Sequence, residues 1–255
     1  MRNILIIWRK ELRSYFVSPI AYILLILLAF VFGWFFWASL GGFLRMSLEA
    51  MMEGEQFPMN INEQLVRGLL LNLNVIGLFF LPMITMRLFA EEKRSGTIEL
   101  LATSPITDLQ IILGKWLAAV TMYALMLIST LLDFIFLFRY GNPDWKPILI
   151  GYLGLLLQAS GLLAIGTFVS ALTRNQIIAG AVTFGLCLML WVASWPVQFE
   201  TATWAQVLSY MCVVTHFDSF AKGVLDTKDA IYYLTVIFLG LFFTARSMES
   251  MRWRS

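Results

Sequence analysis

Few side chains in this sequence could carry chemistry, and they are far apart. His216 is the only histidine, so a two-histidine metal site and an H-E-x-x-H motif are both excluded. We expect it to cap a helix or hydrogen-bond locally within a loop. Gly114-Lys115 does not match the phosphate-binding pattern G-x-x-x-x-G-K-[ST], because Leu109 and Trp116 stand at two of its required positions. The sequence therefore predicts no metal centre, no nucleotide site and no catalytic residue.

Asp133 is the one acidic residue inside a predicted membrane span. Ionisable groups at membrane depth are costly and often mark a transport pathway, so Asp133 is a candidate pathway residue. In the alternative, its carboxylate reaches interfacial water or Arg139, about a turn and a half away. Cys187 falls within a predicted span and Cys212 in a predicted loop, which predicts two free thiols.

Composition predicts an all-α polytopic membrane protein. Hydrophobic residues make up 60% of the chain and charged residues 13%, and the mean hydropathy is +0.79. Hydrocarbon cannot satisfy backbone polar groups, so apolar blocks of about 20 residues must be helices. We predict one transmembrane domain over residues 1–255. Its six spans are residues 19–40, 68–88, 111–138, 147–172, 177–195 and 231–245, the last being short and beginning inside the preceding loop.

Basic residues are unevenly distributed over the predicted loops. Twelve of the 18 fall on the side that holds both termini. The other six are Arg45, Arg67, Arg139, Lys146, Lys222 and Lys228. The positive-inside rule therefore predicts cytoplasmic termini for a multi-pass plasma-membrane protein, and a bacterial inner membrane is the expected location. The formal net charge of +2 implies no nucleic-acid surface.

Residues 1–18 predict a separate amphipathic helix. At 100° per residue one arc is apolar, and it consists of Ile4, Leu5, Trp8, Leu12, Tyr15 and Phe16. The opposite arc carries Arg2, Arg9, Lys10 and Arg13, whereas Ile6 and Glu11 do not fit the pattern. This pattern is typical of an interfacial helix that contacts anionic lipid or a partner. An extension of the first span is the alternative.

A charged, helix-prone segment from Arg87 to Pro105 separates the second and third spans. Glu91-Glu92-Lys93-Arg94 continues the second span, and Gly96 is expected to bend the chain. About two turns of helix then fit before Ser104-Pro105, because a residue before proline is disfavoured in the α region. Thr107 and Gln110 form a capping box for the third span. The segment predicts a rigid connection over residues 89–106, although an ordinary solvated loop is the alternative.

Two loops are predicted on the opposite side. In the loop 196–230, the spacing of Phe217, Phe220 and Val224 predicts a helix face that lies on or re-enters the membrane, with structural packing as its favoured role. Gly223 and Asp226 are expected to end that helix and to cap the final span. The loop from Gly41 to Arg67 is acidic and rich in methionine, and a short helix is expected around Leu44 to Met52.

Two motifs resemble a known family. The pattern E-x-x-x-G-T-I-E-L-L-x-T-x-P-I runs from Glu92 to Ile106, and G-K follows at Gly114-Lys115. With the amphipathic N-terminus and the order of spans, it resembles the ABC-2-type permeases, the membrane subunits of ATP-binding-cassette (ABC) exporters. The run H-F-x-x-F-x-x-G-x-x-D-x-x-D-x-x-Y, from His216 to Tyr232, is similar to the branch that includes gliding-motility permeases and the permease of nitrous-oxide-reductase maturation. The resemblance covers essentially the entire chain.

The resemblance implies that residues 89–106 hold a coupling helix seated in a groove of a separate ATPase subunit. The positions carried over to this chain are Glu92, Arg94, Gly96, Thr97, Glu99 and Pro105. The family assembles two permeases with two ATPases, so a homodimer or a pairing with a second permease is expected. ATP would be bound and hydrolysed on the partner, which makes this chain a non-catalytic subunit without a cofactor of its own.

Three functions remain open on the sequence alone. The first is the permease of an ABC exporter. The second is a membrane anchor that uses an ATPase to exert force on extracytoplasmic proteins without passing a solute. The third is an ATPase-independent channel or secondary carrier, which usually needs more intramembrane polar groups than Asp133 supplies.

Overall fold

The computed structural model describes residues 2–53, 60–97, 106–193, 195 and 203–252. Within these ranges the chain forms ten α-helices and no strand. We number them α1 (Arg2–Val17), α2 (Ile20–Glu53), α3 (Arg67–Thr85), α4 (Ala90–Ser95), α5 (Asp108–Tyr140), α6 (Trp145–Leu172), α7 (Gln176–Val192), α8 (Thr203–Met211), α9 (Val213–Ala221) and α10 (Thr227–Arg252). A π-helical turn, Asn62–Val66, leads directly into α3.

Five of the helical segments are long and apolar enough to cross a membrane. They are α2, α5, α6, α10 and the continuous segment Asn62–Ser95, which includes α3 and α4. The predicted span 177–195 corresponds to α7, which has only 17 residues and is the shorter apolar helix. α10 begins at Thr227, inside the preceding loop, as predicted. The described chain is therefore an all-helical, multi-pass membrane protein.

The first loop differs from its prediction. A separate short helix around Leu44 to Met52 was expected, but α2 continues without a break from Ile20 to Glu53. The prediction is wrong because Gly41-Gly42 suggested a loop, whereas a glycine inside a helix costs only about 1 kcal/mol and does not by itself end it. At 1.5 Å per residue, the 34-residue helix is about 51 Å long, which exceeds the roughly 30 Å of hydrocarbon.

The helix α6 forms the centre of the bundle and packs against α3, α5, α7, α9 and α10. Small residues allow its closest contact, which is with α10. A Cβ added to Gly161 would lie 3.1 Å from Val236, and one added to Gly240 would lie 2.8 Å from the carbonyl carbon of Ala164. Such residues let two membrane helices approach at backbone distance, where van der Waals attraction is strongest.

A buried amide pair joins α3 to α6 in the interior. The Asn74 side chain donates to Gln158 Oε1 at 3.0 Å, and Gln158 Nε2 donates back to Asn74 Oδ1 at 2.7 Å. The hydroxyl oxygen of Tyr233 on α10 lies 3.2 Å from Gln158 Oε1. Each pair of this kind contributes about 0.5–2 kcal/mol and fixes the register of the helices that it joins. The sequence analysis did not identify this network.

Two short helices, α8 and α9, are joined at Cys212 between α7 and α10, and we call them the α8–α9 hairpin. Gly223, with φ +79°, follows α9, and Asp226 Oδ1 accepts from the backbone N–H of Lys228 in the first turn of α10. Both positions were predicted. The predicted Phe217 and Phe220 face also forms, but these side chains are fully buried against the protein, whereas Val224 is exposed. Phe220 packs against Gly154 of α6, so this face supports the bundle rather than lying on the membrane.

Gly240→Ala should lower the free energy of unfolding by about 1–3 kcal/mol, because the new methyl group would meet the backbone of Ala164 at 2.8 Å and helix backbones cannot yield cheaply. Denaturation of the purified protein in detergent measures the change. Gly185→Ala is the matched control, since a Cβ at Gly185 has no atom within 4 Å. Equal stabilities of the two variants would contradict the close packing of α6 on α10.

Candidate functional site

The connection after α3 is a compact elbow, which we define as residues Met86–Thr97. Residues 86–89 form turns, α4 covers Ala90–Ser95, and Gly96 ends it with φ +74°. Local sequence accounts for this shape. Acidic residues stand in the first turn of α4 and basic residues in the last, which complements the helix dipole. Gly96 adopts the left-handed conformation that L side chains avoid, and this confirms the predicted bend.

The end of α6 holds the elbow through Ser170. Its hydroxyl oxygen accepts from the backbone N–H groups of Phe89 and Ala90 at 3.0 and 3.1 Å, which satisfies donors at the start of α4. The hydroxyl itself donates to the carbonyl of Met86 at 3.3 Å. Lys93 Nζ donates to the carbonyl of Ala171. Burial lowers the pKa of Lys93, and the nearby charge of Arg174 lowers this pKa further.

The helix α1 packs along the first turns of α5. Ile7 fills the space beside Gly114, where an added Cβ would lie 2.8 Å from it. Trp8 Nε1 donates to Thr121 Oγ1 at 2.9 Å. The hydroxyl of Tyr15 donates to the carbonyl of Ile84 at 2.9 Å, which joins α1 to α3 as well. The N-terminal helix is therefore fixed to the membrane bundle along its length.

Lys115 connects the elbow to both α1 and α5. Its side chain is 2% exposed, and its ammonium nitrogen lies 3.0 Å from Glu11 Oε1, 2.9 Å from Glu92 Oε1 and 2.7 Å from the carbonyl oxygen of Leu88. An ammonium group has three N–H donors, and these three acceptors match that number. A buried charge of this kind is stable only when it is paired and hydrogen-bonded.

A second lysine completes the cluster. Lys10 Nζ lies 3.5 Å from both Glu11 Oε1 and Glu92 Oε1, so two cations and two carboxylates alternate. Burial lowers the pKa of Lys10, but attraction to Glu11 and Glu92 outweighs it and leaves that pKa raised. Among the described residues, Glu92 Oε2 has no hydrogen-bond partner although it is buried. We call Lys10, Glu11, Glu92 and Lys115 the charge cluster.

A cavity of about 460 Å³ opens beside the charge cluster. It is lined by the four residues of the cluster and by Ser14, Arg87, Leu88, Glu91, Ser95 and Thr97. Its walls therefore come from α1, the elbow and α5 together. Arg87 pairs with Glu91 at 2.9 Å on its exposed side. This arrangement offers polar and charged groups to a binding partner.

The predicted coupling residues fall into three groups. Glu92 is inside the charge cluster, and Gly96 and Thr97 end the elbow, where Thr97 Oγ1 lies 2.9 Å from Ser95 Oγ. Arg94 is exposed. Glu99 and Pro105 lie outside the described residues, as does the short helix expected between Gly96 and Ser104. The capping box that follows is confirmed, with the Thr107 N–H donating to Gln110 Oε1 at 3.4 Å.

Sequence reasoning did not identify Lys115, Glu11 or Ser170 as parts of the site. Two signals were present. Glu11 was an acidic residue beside the apolar arc of α1, and it did not fit the predicted pattern. Lys115 was a cation inside a predicted span. Together they could have suggested a buried ion pair, but nothing local indicates which carboxylate meets which ammonium. Nothing in the sequence around Ser170 indicated that its hydroxyl would hold the elbow.

The other candidate residues lie elsewhere. Asp133 is half-buried on α5, and a Cβ added to Gly33 of α2 would lie 4.0 Å from its Oδ1. In the part of the chain that the structure describes, its carboxylate makes no ion pair with Arg139. Cys187 and Cys212 are free and buried, which confirms that prediction. Within the described ranges, no three histidine, cysteine or acidic residues are grouped so that they could hold a metal ion.

The fold defines a multi-pass membrane protein, in which charged residues join a loop between two spans to the N-terminal helix. The chain belongs to the ABC-2 family transporter proteins, whose family model matches residues 5–244. It is therefore an ABC transporter permease, and the family implies a partner ABC ATPase subunit. A comparison with curated proteins found no match.

Lys115→Met should lower the free energy of unfolding by about 3 kcal/mol, because it removes the buried cation and leaves Glu11 and Glu92 with only the more distant and exposed Lys10 between them. Denaturation in detergent measures the loss. Adding Glu11→Gln and Glu92→Gln should recover part of it, since the uncompensated charges are then removed. Lys228→Met is the control, because Lys228 pairs with Asp226 on the surface and its loss should have a far smaller effect. Equal losses in both variants would refute the central role of Lys115.

Proposed function

We propose that this chain is the permease subunit of an ABC exporter, and that a separate ATPase subunit drives it through the elbow. The observation that carries this proposal is the position of Lys115, which binds α1, the elbow and α5 at one point. A force applied to the elbow cannot move it alone without breaking a buried ion pair. Breaking such a pair costs about 3–5 kcal/mol.

The proposed motion follows from these attachments. ATP binding closes the partner ATPases, and their surface displaces residues 89–106. The charge cluster passes this displacement to α1 and α5, while Ser170 passes it to α6. The helices then repack between two arrangements, as packed helices with discrete alternatives do. The exposed Arg94 and the cavity beside the cluster supply polar groups for the contact with the ATPase.

The proposed arrangement places both termini and the elbow in the cytoplasm of a bacterium, and the hairpin outside. The helix α7 then serves as the sixth span, since 17 residues are at the lower end of what can cross the hydrocarbon. Exposed Leu5 and Ile6 on α1, next to the exposed Arg9, support a position of α1 at the inner membrane surface. Two copies of the chain, or this chain and a second permease, would assemble with two ATPases.

Single cysteines test this orientation. Arg94→Cys should react with a membrane-impermeant maleimide only in opened cells, because Arg94 is exposed on the elbow. Lys228→Cys should react in intact cells, because its side chain is 71% exposed at the opposite end of the bundle. The parent protein is the control, since Cys187 and Cys212 are buried. The reverse labelling pattern would place the elbow outside the cell and would contradict the proposal.

Gly96 tests the coupling itself. Gly96→Val should leave assembly with the ATPase intact but reduce coupled ATP hydrolysis in lipid vesicles about tenfold, because a branched residue at φ +74° costs about 1–2 kcal/mol. Gly96→Asn is the matched control and should retain most of the activity, since asparagine tolerates this conformation.

The readouts for the Gly96 variants are the ATPase subunit that co-purifies with a tagged chain and its rate of hydrolysis. Unchanged hydrolysis in Gly96→Val would contradict a coupling role for the elbow. Solute efflux from the same vesicles distinguishes an exporter from an anchor, because an anchor would hydrolyse ATP without flux.

A further inference from the structure

The second polar cluster of the protein lies at the end of the bundle opposite the elbow, where the α8–α9 hairpin meets α10. Several contacts hold the hairpin there. Tyr233 on α10 donates its hydroxyl to the carbonyl of Val213 at 2.7 Å. Tyr232 donates to the carbonyl of Met211 at 2.7 Å. Arg67 at the start of α3 pairs with Asp218 at 2.6 Å. His216 lies at the centre of this group and is 5% exposed.

Both ring nitrogens of His216 have partners. Nδ1 lies 2.8 Å from Asp229 Oδ1 on α10, and Nε2 lies 2.9 Å from the backbone carbonyl oxygen of Tyr210 on α8. The ring of Tyr232 stacks on the imidazole, with centroids 3.9 Å apart and planes 18° apart. His216 therefore joins one residue of α8 to one residue of α10, and its orientation is fixed by the stacked ring.

Donors and acceptors can be counted at this contact. A carbonyl oxygen only accepts, so Nε2 must carry a hydrogen to bond to Tyr210. The contact with Asp229 also needs a hydrogen, which stands either on Nδ1 or on the carboxyl group. A neutral imidazole beside an ionised carboxylate has only one N–H and cannot supply both bonds. The observed geometry thus requires one proton more than that neutral state holds.

We propose that His216 and Asp229 together bind one proton that fastens α8 to α10 through His216 of α9, and that loss of this proton as the pH rises loosens α8. When the proton leaves, one of the two contacts has no hydrogen, and two lone pairs face each other at under 3 Å. The contact with Tyr210 is the one that weakens, because an N–H that stays on Nδ1 still bonds to the charged carboxylate. Docking is strongest at low pH.

The surroundings give the proton a route to solvent. A cavity of about 370 Å³ reaches His216 and Asp229, and it is also lined by Gln206, Ser209, Tyr210, Thr215, Ser219 and Lys228. The titratable groups around the imidazole are Tyr210 from α8, Cys212 from the turn, and Lys228, Tyr232 and Tyr233 from α10. Lys228 pairs with Asp226 at 3.1 Å, so its charge is partly balanced. Asp229 Oδ2 is buried and has no partner among the described residues.

Cys212 reports whether α8 is docked. It joins α8 to α9, is fully buried, and its thiol donates to the carbonyl of Trp191 at 3.3 Å. In a Cys187→Ser background, the rate of maleimide labelling at Cys212 is measured from about pH 5 to about pH 8, the range in which an imidazole ordinarily changes its charge. Dividing by the rate for the same chain unfolded in detergent at each pH removes the ionisation of the thiol itself.

Protection of Cys212 should fall about tenfold as the pH rises, which corresponds to the loss of roughly one hydrogen bond. Asp229→Asn should keep Cys212 protected at every pH, because the introduced amide donates to Nδ1 while Nε2–H still bonds to Tyr210. His216→Gln should give protection that does not vary with pH. Arg246→Gln, near the other end of α10, is the control and should keep the pH dependence of the parent.

Constant protection in the parent, or the same pH dependence in Asp229→Asn and His216→Gln as in the parent, would overturn the proposal. Near-equal labelling of native and unfolded protein at low pH would also overturn it, since α8 would then not be docked in the protonated state. The labelling is done on the full chain in lipid nanodiscs, and it requires neither ATP nor the partner subunit.

Discussion

A lysine ammonium removed from water is stable only where acceptors replace its lost hydration, and Lys115 meets this condition through three different parts of the chain. Glu11 comes from α1, Glu92 from α4, and the carbonyl of Leu88 from the turn before α4. None of them can move away alone without leaving a buried charge unpaired. The requirement that this charge be satisfied therefore fixes how the N-terminal helix, the elbow and α5 are oriented relative to one another.

The helix α6 links this cluster to the rest of the molecule. Its end holds the elbow through Ser170, its middle exchanges hydrogen bonds with Asn74 through Gln158, and its first half supports the hairpin through Gly154. Small residues along it keep α10 at backbone contact. Because the contacts at both ends use the same helix, a shift of α6 near the elbow must also change the packing beneath α9. The two polar clusters therefore share one mechanical support.

Local rules predicted what local interactions determine. The apolar blocks indicated the long helices, Thr107 and Gln110 marked the start of α5, and Gly96 marked the end of α4. Contacts between distant segments were not predictable in this way. Glu11 and Lys115 are 104 residues apart, and periodicity reveals only which face of a helix is apolar. The amides of Asn74 and Gln158 were missed because uncharged polar residues do not interrupt a hydrophobic block. Gly41-Gly42 was misleading because the surrounding helix tolerates both glycines.

The unbroken length of α2 has a consequence for how motion would be observed. A stiff rod of about 51 Å converts a tilt of roughly 10° at one end into a displacement of about 9 Å at the other. The chain enters this rod directly from α1, through Ser18 and Pro19, so a small rotation of the N-terminal helix is geometrically amplified at Glu53. Distance probes near Glu53 would therefore be far more sensitive to such a rotation than probes beside the charge cluster.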